Sequence, residues 1–171
     1  LWMGRPVKGA GRITRLALLT AIALTIFLAE AQLPALTAVP GVKLGLANIV
    51  TVYAMFALGP GDALLVLSGR VFLGAVFSGQ MMTLIYSAAG GFLSWCVLCL
   101  LRKLLTGEQI WLASPVAAVF HNLGQLLAAA AVLRSWAVMA WLPYLIIAAI
   151  LAGLFTGVAA QALLRRLSGL S

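Results

Sequence analysis

The sequence predicts an all-α membrane protein: a bundle of six transmembrane helices with both termini cytoplasmic. Three observations carry this. First, 64% of the 171 residues are hydrophobic and only 8% are charged, with mean hydropathy +1.16; a soluble domain needs about a quarter charged residues to cover its surface. Second, apolar runs recur at about the 20-residue length that crosses a bilayer, divided by short Gly, Pro and charged breaks. Third, Lys and Arg concentrate in alternate connections, as positive-inside topology requires. A net charge of +8 would suggest nucleic acid in a soluble protein. Here the basic residues flank apolar runs and form no stripe interleaved with aromatics, so membrane lipid is the expected partner and nucleic acid is not.

Residues 1–13 form a basic cytoplasmic segment, 14–166 a single six-helix domain and 167–171 a short tail. The first run, Leu16–Leu33, carries Glu30 near its end. It is as long as a full span and lacks a small-x-small cleavage site, so the helix is expected to be retained. The proline-containing loop PALTAVPGVK leads to a short second run, Leu44–Leu58, whose brevity makes five spans the competing count. Gly59-Pro60-Gly61-Asp62 is a break. The third run, Ala63–Phe77, contains Arg70. Ser78-Gly79-Gln80 turns the chain into a fourth run, Met81–Leu101. RKLLTGEQIWLASP is expected to be a polar connector, with Ser114 a cap and Pro115 in the first turn of a fifth helix ending at Leu133. A sixth helix runs from about Met139 to Leu164.

With six spans, the cytoplasmic segments hold Arg5, Lys8, Arg12, Arg15, Arg102, Lys103, Arg165 and Arg166, and the external loops hold Lys43 and Arg134. Trp111, Trp136, Trp141 and Tyr144 fall near span ends, where amphipathic rings settle. Small residues four apart mark close helix approaches: Ala17/Ala21, Gly124/Ala128 and Gly153/Gly157. The last two pairs suit packing within the bundle. The pair on the first helix suits either internal packing or a docked partner.

Arg70 is the most informative residue. A guanidinium at mid-depth of a span costs roughly 2.5–3.5 kcal/mol on insertion scales, so it must face a partner or a polar site rather than lipid. Only three acids exist, and Asp62 and Glu108 are expected at the cytoplasmic side. That leaves Glu30, which has Lys43 and Arg70 as candidate partners. Lys43, Asn48, Arg70, Gly91, His121, Asn122 and Gln125 are therefore candidate ligand contacts, with excess positive charge suited to a carboxylate, phosphate or electron-rich carbonyl. His121 and Gln125 share a helix face, and their alternative role is hydrogen bonding between helices. Asn122 lies about 100° round from His121. Gly90-Gly91 leaves backbone room beside a ligand or a neighbouring helix.

Enzymatic chemistry finds no support. The Cys96/Cys99 pair lacks further zinc ligands and a thioredoxin context. His121 has no nucleophile at suitable spacing, and no phosphate-binding loop is present. No catalytic residue, metal site or cofactor is expected.

The stretch PGVKLGLANIVTVYAMFALGPGDALLVLSGRVFLGAVFSG, Gly90-Gly91 and HNLGQ at 121–125 together resemble the bacterial Gx transporter family, also catalogued as heptaprenyl diphosphate synthase component I. The resemblance covers residues 12–166. That family is in turn similar to the S components of energy-coupling factor (ECF) vitamin transporters. The resemblance implies an inner-membrane subunit that binds a small, anionic, vitamin-, cofactor- or isoprenoid-like molecule under its first loop. It also implies a coupling membrane protein and ATPases as partners, with Ala17 and Ala21 matching an alanine-rich docking face that Thr25 interrupts. The synthase name implies an alternative, a non-catalytic membrane component of a prenyl diphosphate synthase or redox complex. With Asp62 as its sole aspartate, the chain lacks the aspartate-rich clusters that hold magnesium in such synthases.

Overall fold

The computed structural model describes residues 9–32, 45–105 and 109–168. These form six α-helices: α1 (Ala10–Glu30), α2 (Asn48–Ala57), α3 (Pro60–Ser78), α4 (Met81–Leu104), α5 (Ile110–Leu133) and α6 (Leu142–Ser168), with a 3-10 turn, Trp136–Trp141, leading into α6. No strand occurs among the described residues. Five segments are long and apolar enough to cross a membrane, the last comprising Trp136–Arg166. The protein is thus an all-α, multi-pass membrane bundle.

Side-chain contacts fix the direction of each helix. Arg12 on α1 pairs with Asp62 on α3, its Nε donating to Oδ1 at 3.0 Å. Trp95 Nε1 on α4 donates to the Pro60 carbonyl at 3.0 Å. Ala63, Leu98, Ile110 and Ala160 share one apolar cluster. One end of the bundle therefore collects the starts of α1, α3 and α5 and the ends of α2, α4 and α6. Arg12, Arg15, Arg102, Lys103, Arg165 and Arg166 lie there, whereas Arg134 lies at the opposite end. The helices run alternately up and down, and α1 begins at the end where α6 finishes.

The exterior is apolar, as a lipid solvent demands. Phe72, Phe92, Ile147, Phe155 and Val158 are all more than half exposed. Polar side chains point inward instead, and they mark the seams between helices.

Two expectations change. The second apolar run, expected from Leu44 to Leu58, is helical only over Asn48–Ala57. Ten residues rise about 15 Å, half of a roughly 30 Å hydrocarbon core. Gly45 has φ +79°, a conformation that favours glycine, so the chain turns there and α2 starts near mid-depth. The connector before the fifth helix also departs from expectation: α5 begins at Ile110, which places Ser114-Pro115 inside it. Ile110 and Ala113 are fully buried in the core, and that burial overrides the proline break. The orphan N–H of Trp111 in the first turn is satisfied from α6, where Gln161 Oε1 accepts it at 3.1 Å. Ser114 and Thr156 hydroxyls bond at 2.8 Å across the same seam.

That seam depends on absent side chains. A Cβ on Gly153 would lie 2.3 Å from Pro115 Cα, and one on Gly157 would lie 2.7 Å from the Trp111 carbonyl oxygen. On α5, Gly124 packs equally close to Ala89 and Gly90 of α4. These small residues are internal packing surfaces, as their spacing predicts. Ala17 and Ala21 differ: both are exposed, on a face of α1 that no described helix covers.

Candidate functional site

The start of α2 organises a buried polar cluster. Glu30, at the end of α1, is 7% exposed. Its Oε1 accepts the Gly45 N–H at 2.7 Å and its Oε2 the Leu46 N–H at 2.9 Å. These two amides precede the first turn of α2 and would otherwise lack partners. A carboxylate there forms charge-assisted hydrogen bonds and meets the positive end of the helix dipole. The sequence offered Lys43 and Arg70 as partners for Glu30; the structure adds this backbone pair, which sequence spacing could not reveal. Lys43 lies outside the described residues.

Glu30→Gln should be destabilising, because the amide keeps one acceptor but turns an NH2 toward the second backbone donor. The expected loss is about 1–3 kcal/mol, read as a lower melting temperature in detergent. An unchanged melting temperature would show that the carboxylate does not anchor α2.

Around this anchor stand Arg70, His121 and Gln125. Arg70 is 2% exposed and lies eight residues, about 12 Å, above Asp62 along α3. Its guanidinium carbon sits 5.9 Å from the Phe27 ring centroid, a cation–π geometry. Its charge acts on both Glu30 and His121, but Arg70 and Glu30 stop short of an ion pair. Its Nε and Nη2 have no hydrogen-bond partner among the described residues. A charged donor left so in a low-dielectric interior is costly, which makes this guanidinium the strongest candidate to meet an added acceptor.

His121, from mid-α5, packs against the same turn. A Cβ on Gly45 would come within 2.9 Å of the imidazole Cδ2, so only glycine lets this turn lie against the ring. Nε2 of His121 is 3.0 Å from Gln125 Nε2, while Nδ1 makes no hydrogen bond of standard geometry among the described residues, although the Gly90 backbone interacts with the ring. Gly90 lets α4 approach them both: a Cβ there would meet the His121 carbonyl oxygen at 2.5 Å and Gln125 Cγ at 2.8 Å. Asn48 extends the cluster along α2. Its Nδ2 donates to Ser94 Oγ on α4 at 2.9 Å, and its Oδ1 has no partner among the described residues.

The fold thus brings Arg70, His121, Gln125 and Asn48 to the start of α2. Two other candidates point elsewhere. Gly91 packs against Leu67 of α3, and its neighbour Gly90 is the one beside His121. Asn122 turns toward α6, where its Nδ2 donates to the Leu145 carbonyl at 3.1 Å. Residues the sequence reading passed over are Thr51, Ser87 and Ser94, all buried. A signal existed on α4, where Thr83, Ser87, Gly90 and Ser94 repeat at helical spacing and are all buried. Without charge, the stripe was indistinguishable from packing.

The arrangement can hold an anion or a hydrogen-bonding head group between a guanidinium, an imidazole and a half-length helix. Half-helices that start inside a bilayer are used in this way to meet anionic groups. Asp62 is committed to Arg12 at the basic end, and no group of three or more His, Cys, Asp or Glu side chains gathers among the described residues. No curated protein and no solved structure matches the chain. The profile of one family does, over residues 19–163, and with that span covering most of the sequence the chain belongs to the family described as heptaprenyl diphosphate synthase component I.

Proposed function

We propose that this protein is a substrate-capturing membrane subunit, S-component-like, for uptake of a small anionic organic molecule. The observation that carries the reading is Arg70: a buried guanidinium with two nitrogens that have no partner among the described residues, beside the start of a half-length helix. His121, Gln125 and Asn48 supply further polar contacts, and Lys43 is a further candidate from its place in the sequence. Energy comes from partners, namely a coupling membrane protein and ATPases of the kind that ECF resemblance implies. The uncovered Ala17/Ala21 face of α1 offers such a partner a low-profile surface. The ligand is vitamin-, cofactor- or isoprenoid-like, and the membrane is the bacterial inner membrane.

Purification in mild detergent followed by mass spectrometry of the denatured extract tests this. An anionic small molecule at near one-to-one stoichiometry is expected, together with an uptake defect for that molecule on deletion.

The family description favours a second reading, a non-catalytic membrane component of a prenyl diphosphate synthase. Cross-linking in cells separates the two. Capture of a soluble synthase, with unchanged small-molecule uptake in the deletion strain, would replace the transport reading with this one.

A further inference from the structure

Away from the polar cluster, two adjoining grooves run along α6. One, of about 370 Å³, is lined by Trp111, Val158, Gln161, Ala162, Arg165 and Arg166. The other, of about 410 Å³, is lined by Leu154, Phe155, Val158, Ala159 and Ala162. They share Val158 and Ala162 and so form one channel, apolar toward the bundle middle and basic at its end. We propose that this channel is a selective site for an anionic glycerophospholipid of the leaflet at the basic end of the bundle.

Three observations support that occupant. Leu154 and Ala162 are eight positions apart, about 12 Å along the helix, close to the roughly 15 Å depth of one leaflet's hydrocarbon. Ala159 and Ala162 are small, so an acyl chain can lie close to the backbone between Phe155 and Val158. At the basic end, exposed Arg166 stands where a headgroup phosphate would sit, and Trp111, 38% exposed, places an indole at the interface. Basic pockets of this kind between helices favour anionic headgroups. A seven-unit prenyl tail, once extended, overruns one leaflet and fits the channel less well than an acyl chain.

Native mass spectrometry of the full chain after delipidation tests the site, with dioleoyl phosphatidylglycerol and dioleoyl phosphatidylcholine as probes. Phosphatidylglycerol should be retained at least fivefold over phosphatidylcholine. Arg166→Gln should bring the two near parity, and Ala162→Phe, by filling the tail channel, should release both without altering charge. Lys103→Gln, a charge at the same end on α4, should keep the preference. Circular dichroism checks that each variant is folded. Equal retention by the wild type, or equal loss in Lys103→Gln, would overturn the site in favour of a diffuse charge effect. Displacement of phosphatidylglycerol by equimolar farnesyl diphosphate would overturn the choice of occupant. None of these outcomes depends on the ligand captured near Arg70.

Discussion

Arg70→Gln should weaken retention of the co-purifying ligand at least tenfold, about 1.4 kcal/mol, while Arg70→Met leaves the ligand-free fold within about 1 kcal/mol of wild type. The pairing of these outcomes is the test. If Arg70 were one half of a structural ion pair, removing it would strand a buried charge and destabilise the protein by about 3–5 kcal/mol. The structure places Glu30 on the Gly45 and Leu46 amides instead, so that carboxylate keeps its hydrogen bonds when the guanidinium is gone. Methionine also removes two buried donors that have no partner among the described residues and retains most of the packing on Phe27. Isothermal titration with the identified ligand and thermal melts in detergent read the two quantities. A large stability loss with unchanged affinity would return Arg70 to a structural role.

Gly153→Val should be the most disruptive packing substitution. Even a Cβ at that position would overlap Pro115 Cα at 2.3 Å, and the obstacle is backbone, which cannot rotate away. Overpacking costs typically 1–3 kcal/mol where side chains can adjust; here α6 must separate from α5, so a loss at or above that range is expected. Separation would also break the Ser114–Thr156 and Trp111–Gln161 hydrogen bonds. Gly61→Ala is the matched control. It lies in the first turn of α3 with nothing within 4 Å of its Cβ, and alanine's better helix propensity gives up to about 1 kcal/mol in its favour. Melting temperatures that fall equally in both variants would show that the α5–α6 approach is not what glycine serves.

The sequence by itself determined the solvent, the helix count and the gathering of basic residues at one end of the bundle. Those follow from composition, from apolar runs of bilayer length and from the placement of Lys and Arg, all local or additive properties. Arg70 was legible as the odd residue for the same reason, since a charge at mid-span is conspicuous without coordinates. His121 and Gln125 were legible as a pair because helical spacing puts them on one face. Tertiary structure decided the rest. Helix rotation chose Gly90 over Gly91 to face His121 and turned Asn122 toward Leu145, and no single-helix pattern contains that angle. Burial of Ile110 and Ala113 carried α5 past its proline, a gain that exists only when α6 and α2 are already in place. Above all, the choice of the Gly45 and Leu46 amides as donors to Glu30 was invisible in the sequence. Backbone donors carry no side-chain signature, and only folding shows which of them a helix start leaves unpaired.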